Sequence, residues 1–398
     1  MKLPRDRVIA RRRWPRARAS RVCAGLFRLE GNAMIRLLIV LSILALPALA
    51  VLLWVVHGLE READSAAART GTGVPMAVLG DSDSHSYGDR RSFPPASELR
   101  GGAHRATTLQ WTEALDRLRG GEIDQGDWGL HGARRSVAVA AHLVGLGPLA
   151  PRKEDYRYNF AVSRLGCADL MGGNWRLAPA LAALMRRQPA RWRDGIVVIR
   201  IGVNSFGSES HLQRLSRDPH SPDTRDGIAA CLLAIRESMA LLREQVPTLR
   251  FVLVGVSDNA QWAPFLGQWR SSQEIGNIRA GLAPFDQGLR AIEAADPRVA
   301  YFDDQRWFRE RWGWRDASGV PAFRAVTVGS LRVTNTLGDS PDNAGLADGH
   351  AGTALNALWA QSLLQLINER FAAGIAPIGD DEVAALAGGQ APPAPRAP

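Results

Sequence analysis

The stretch Met76-Ala77-Val78-Leu79-Gly80-Asp81-Ser82-Asp83-Ser84 decides the fold. Four apolar residues run together without polar alternation, which marks a strand buried on both faces, and Gly80 behind them ends it in a turn. Strands of that kind belong to parallel sheets covered by helices. Comparable runs recur at 158–162, 195–202, 250–256 and 299–302, and in the second of these Ile196-Val197-Val198-Ile199 is β-branched and enclosed by Gly195 and Gly202. Helical periods lie between them at 167–187, 224–246 and 272–295, with a last one at 353–371. In the second, Ile228, Leu232, Ile235, Met239 and Leu242 share a face and Pro247 stops it. Strand–helix alternation predicts an α/β fold, a parallel five-stranded sheet flanked by helices.

Toward the N-terminus the character changes. Lys2 and ten Arg stand against Asp6 and Glu30 in residues 1–36, which accounts for the whole formal charge of +9 and leaves residues 37–398 neutral. A neutral body lacks the basic footprint of a nucleic-acid-binding protein, so nucleic acid is not expected as a partner. Residues 37–56 carry no charge, and twenty helical residues span about 30 Å, the core of a bilayer. Residues 37–57 are expected to be a transmembrane signal-anchor, with the basic tail 1–36 cytoplasmic and the body on the periplasmic or extracellular side of the cytoplasmic membrane. Two alternatives stay open: cleavage after Ala48-Leu49-Ala50, and a translation start at Met34.

Residues 58–73 are polar and small and read as a stalk, and 74–372 as the main domain. Two long excursions, 85–157 and 303–345, depart from the alternation and are expected to shape the substrate site. The first includes a helical piece at 107–119, and the second an alternating piece, Ala325–Val328 with Leu331–Thr334, that suggests a hairpin. Residues 373–398 are expected to be a flexible tail. Cys23 lies in the basic tail, so a disulfide in the body has Cys167 and Cys231 to work with, and two unpaired buried thiols are the alternative. No Cys or His spacing suggests a metal, and no cofactor is expected.

In an open parallel sheet, ligands gather at the carboxyl ends of the strands, where the turn Gly80-Asp81-Ser82 falls. A serine there can supply both a nucleophilic hydroxyl and a backbone N–H. His85, three residues along, is a rival base, and Asp81 reads as a structural carboxylate of the turn. Three further segments follow in order: Asn159-Phe160-Ala161-Val162-Ser163 on the second strand, Gly202-Val203-Asn204 after the third, and Asp348-Gly349-His350 before the last helix.

Together these resemble the four blocks of the SGNH/GDSL hydrolases over residues 74–372. The resemblance implies a flavodoxin-like fold of that family and a serine ester hydrolase. Ser82 would be the nucleophile, His350 the base and Asp348 its orienting carboxylate, with Asn204 in the oxyanion hole. Two departures stand out. Where the family has an N–H-donating glycine after the second-block serine, this chain has Arg164, with Gly166 two residues on, and either could donate. The last block is D-x-H in place of D-x-x-H, so the carboxylate and imidazole need not meet. An ester-bearing substrate is implied. Its identification as an acylated glycan of the cell envelope leans on location and on Trp111, Trp128, Trp262, Trp269, Trp307, Trp312 and Trp314 near the loops. An acyltransferase on the same fold and a non-catalytic glycan-binding module are the competing functions.

Overall fold

The computed structural model describes residues 31–67 and 71–390. Residues 1–30 of the basic tail, residues 68–70 of the stalk and the last eight residues lie outside the described residues. The chain divides near Val55 into two units. The first helix, α1 (Gly31–Ala67), contains an apolar stretch Leu38–Gly58 of 21 residues with mean hydropathy 2.8, long and apolar enough to cross a membrane. The helix continues to Ala67 through the small residues read as a stalk, since Ala, Glu and Arg are good helix formers.

The main body is a five-stranded parallel sheet of β1 (Val74–Gly80), β2 (Ile123–Asp124), β3 (Ile196–Arg200), β4 (Arg250–Val254) and β5 (Val299–Phe302), in the order β2-β1-β3-β4-β5. The register runs Met76 beside Ile196, Ile196 beside Arg250 and Phe251 beside Val299. Successive side chains go to opposite faces. Ala77, Leu79, Val197, Ile199, Phe251 and Leu253 pack on one side against α3 (Leu177–Met185), α4 (Pro222–Gln245) and α5 (Ser272–Ala295). Met76, Val78, Ile196, Val198, Val252 and Val254 pack on the other against α2 (Trp111–Arg119) and α6 (Thr353–Phe371). Both faces are apolar, which is why the strands lack alternation.

Several expectations need correction. Residues 158–162 are not a regular strand. The edge begins instead with Ile123–Asp124, paired to Val74 and Pro75, and 158–162 continues it through Phe160 N–H to Val78 O (2.8 Å) and Val162 N–H to Gly80 O (3.2 Å). A two-residue strand has no pattern to read, so the excursion 85–157 holds part of the core, α2 and β2, within it. The helix expected at 167–187 breaks around Gly172-Gly173 into Ala168–Met171 and α3. The tail is also ordered further than composition suggested: α7 (Asp380–Ala387) buries Val383 and Leu386, and its Glu382 takes two 2.8 Å bonds from buried Arg119.

Cys167 and Cys231 form a disulfide across 64 residues, a closure of the unfolded chain that stabilises by about 4 kcal/mol. In the second excursion Val326–Val328 and Leu331–Leu337 form an antiparallel hairpin, as its alternation suggested.

Candidate active site

Gly80 ends β1 where a Cβ would stand 2.7 Å from Arg200 O, so only glycine lets β1 and β3 close up before the chain turns. Beyond it Asp81 is buried, and its Oδ1 accepts from Asp83 N–H at 3.0 Å. Burial, and then the nearby charge of Asp83, push its carboxyl well above the usual range, as suits a group that shapes the turn. Ser82 is half-buried at the head of this turn. Among the described residues its Oγ and its N–H have no hydrogen-bond partner, while its carbonyl accepts from Gln110 Nε2 at 3.2 Å.

The second segment is zipped to the first by the Val162–Gly80 bond. Arg164 sits at φ +73, the left-handed region that suits glycine, so the turn keeps a glycine-like backbone despite its side chain. Its N–H finds no acceptor among the described residues, whereas Gly166 N–H donates to Asp169 Oδ2 at 3.2 Å. Of the two backbone candidates, Arg164 is the free donor. The third segment joins the second: Asn204 Nδ2 donates to Leu165 O at 2.9 Å, and Ser205 Oγ accepts from Cys167 N–H at 2.9 Å. An amide nitrogen carries two hydrogens, so one N–H of Asn204 stays available. Asn204 is exposed.

His350 and Asp348 meet in spite of the shortened spacing. Both precede α6, in a turn where Gly349 adopts φ +85 and Leu346 N–H reaches His350 O at 2.7 Å. The turn brings Asp348 Oδ1 to 3.2 Å from His350 Nδ1 and 3.1 Å from His350 N. Burial would raise the Asp348 carboxyl, but the hydrogen bond from His350 and the charge of Arg100 outweigh it and hold the group well below the usual carboxylate range.

Arg100, from the first excursion, joins this pair, and no local pattern in the sequence marks it. Its N–H and Nη1 reach Asp348 Oδ2 at 2.9 and 2.5 Å, and its Nη1 and Nη2 stand 2.6 and 3.2 Å from the two ring nitrogens of His350. Ser82 and His350 make no hydrogen bond with each other.

A second histidine–carboxylate pair lies behind the turn. His85 is 1% exposed, with Nε2 3.0 Å from Asp89 Oδ2 and Nδ1 3.1 Å from Ser163 Oγ. Ser163 N–H also donates to Nδ1 at 3.2 Å, so Nδ1 carries the lone pair and Nε2–H faces Asp89. Burial, and then the charge of Lys153, lower the His85 imidazole. Burial opposes ionisation of Asp89, but the bonds from His85 and others prevail and hold it low. No local signal joined His85, Asp89 and Ser163, because the last is 78 residues away.

Beside His350 lies a cavity of about 80 Å³. Trp262, Trp307, Trp314, Phe308 and Leu355 line it, with Asp258, Asn259, Gln261 and Arg200 among its polar groups. Burial raises the Asp258 carboxyl to about 6. Of the tryptophans expected near the loops, Trp111, Trp269 and Trp312 are core residues instead, and Trp128 is exposed. Among the described residues no His, Cys, Asp and Glu side chains cluster as metal ligands.

No family model and no curated protein matches the chain. Among solved structures, it is similar to a lipase from a goat rumen metagenome (11% identity, TM-score 0.38, 74% of this chain and 97% of that one). It is also similar to an extracellular lipase from Streptomyces rimosus (17% identity, TM-score 0.30, 65% of this chain and 90% of that one). At such TM-scores neither likeness carries an argument about activity.

Proposed function

We propose that this chain is a serine ester hydrolase of the SGNH/GDSL type, cleaving short O-acyl esters such as O-acetyl groups on envelope glycans. One observation carries the proposal: three sequence-distant turns are bonded together around Ser82, with unused N–H donors at Ser82, Arg164 and Asn204, and the Asp348–His350 pair stands in the same chain's last block. Free donors are what a developing oxyanion requires.

In this mechanism Ser82 Oγ attacks the ester carbonyl and its proton passes to His350 Nε2, while Asp348 holds the Nδ1–H tautomer. The oxyanion is held by the three N–H groups. Collapse expels the alcohol, which takes the proton back from His350. Water, deprotonated by the same imidazole, then releases the acyl group from Ser82.

The cavity beside His350, about 80 Å³ and open to solvent, is where we place the acyl or alcohol group. Its three tryptophans also suit a sugar face, which keeps acyl transfer to a polysaccharide as a second function. Hydrolysis of p-nitrophenyl acetate by wild type and its loss in Ser82→Ala test the hydrolase. Acetylated product in the presence of a glycan acceptor would indicate transfer. The proposed location is the outer side of the cytoplasmic membrane, anchored by α1. An inactive C-terminal alkaline-phosphatase fusion beside a fluorescent GFP fusion would refute that orientation.

A further inference from the structure

We propose that Arg100 is a latch on the general base, and that the site turns over only after this guanidinium withdraws from His350. The inference rests on the reading of Ser82 and His350 given above. It follows from counting lone pairs. A neutral imidazole has one N–H and one lone pair, and Arg100 brings only donors. With the hydrogen on Nδ1, facing Asp348 Oδ1 at 3.2 Å, Arg100 Nη1 opposes that nitrogen donor against donor at 2.6 Å, and the lone pair on Nε2 meets Nη2 at 3.2 Å. With the hydrogen on Nε2, the lone pair on Nδ1 meets Nη1 at 2.6 Å, and the wrong tautomer faces the substrate. In neither state is a lone pair left for the Ser82 proton, and Ser82 Oγ accordingly makes no bond to His350.

The latch is held on both sides. Its guanidinium lies over the Phe93 ring at 4.3 Å and near the Tyr87 ring at 5.2 Å, so its hydrophobic faces are covered while its edge grips Asp348. Its Nε is buried without a hydrogen-bond partner. The segment that presents it is strained: Glu98 and Arg100 occupy φ +56 and +60, followed by Gly101 at +108 and Gly102 at +48. Left-handed non-glycine residues of this kind gather where a segment has two arrangements. Withdrawal need not disturb the catalytic pair, because Asp348 keeps the Arg100 main-chain N–H or, failing that, His350 N–H and Nδ1–H.

The test is the rate of labelling of Ser82 by a fluorophosphonate, together with kcat on p-nitrophenyl acetate, in the full-length protein. Observed rate scales with the unlatched fraction, so Arg100→Met is expected to raise both by about tenfold or more. Arg100→Lys, a point charge that can meet one nitrogen at a time, should fall between. Phe93→Leu removes the surface under the guanidinium without touching the charge, and it too should accelerate labelling. Most disruptive substitutions slow an enzyme, so a gain separates a latch from a structural role. Equal or slower labelling in folded Arg100→Met and Phe93→Leu overturns the latch and makes Arg100 a support for Asp348. Absence of Ser82 labelling in every variant, wild type included, overturns the underlying assignment of the nucleophile.

Discussion

His350 and His85 each hold an aspartate through one ring nitrogen, at 3.2 and 3.0 Å, yet their surroundings are opposite. The His350 side chain is 27% exposed, sits beside an open cavity and depends on a two-residue turn through Gly349. The His85 side chain is 1% exposed, and both its nitrogens are committed, to Asp89 and to Ser163. Taken as a bare constellation, Ser163–His85–Asp89 is the more complete chain of hydrogen bonds. Burial is what disqualifies it as a working base: an imidazole 1% exposed offers no face to a substrate and no room for a tetrahedral carbon. The rim pair is held by Arg100, a partner at the site's edge that can withdraw, whereas the buried pair is bonded to core groups and anchors the turn bearing Arg164.

Four substitutions break or sharpen this contrast. His350→Ala is expected to lower kcat by about 10⁴–10⁶-fold, since the nucleophile loses its base. If the buried histidine were the base, this variant would keep most of its turnover. Asp348→Asn should cost about 10³–10⁴-fold in kcat with unchanged circular dichroism, because the imidazole is left in the wrong tautomer. Near-wild-type turnover would leave a Ser–His dyad standing. Asn204→Ala should lower kcat by about 10²–10³-fold, or ~2.7–4 kcal/mol, with little change in KM. Retention of half the wild-type kcat would remove its amide from the oxyanion hole.

His85→Asn comes last in its effect on kcat, within about tenfold per folded molecule, and first in its effect on stability. Leaving buried Asp89 and the Ser163 donors poorly partnered costs about 1–3 kcal/mol, read as a fall in Tm. The sign with pH is definite. Burial and Lys153 hold the folded imidazole below its ordinary 6.5, so as pH falls through that value the unfolded chain takes up a proton that the fold refuses. Wild-type stability therefore declines below about pH 6.5, and His85→Asn should lack that part of the decline. Parallel pH profiles for the two proteins would contradict the buried neutral histidine.

The parts of this architecture that are legible in the sequence share one property: they are local. Strands such as Ile196–Arg200 announce themselves as unbroken apolar runs, and α5 and α6 end where their periodicity ends. The turns carrying Ser82, Asn204 and His350 sit at ends of such elements, so they could be found. What escaped is set by distance in the chain. Arg100 meets its partners 248 and 250 residues away, Glu382 meets Arg119 across 263, and neither pair leaves a pattern in its neighbourhood. Ile123–Asp124 is too short to show a period. Whether Asp348 could reach His350 turned on a single backbone angle at Gly349, which spacing alone does not encode.

The central claim is that Ser82, not Ser163, is the reactive serine. The most direct measurement is mass-spectrometric mapping of the residue modified by a fluorophosphonate in the full-length protein. The account predicts one adduct, on the peptide containing Ser82, that disappears in Ser82→Ala and persists in Ser163→Ala. An adduct on Ser163, or labelling undiminished in Ser82→Ala, would contradict it.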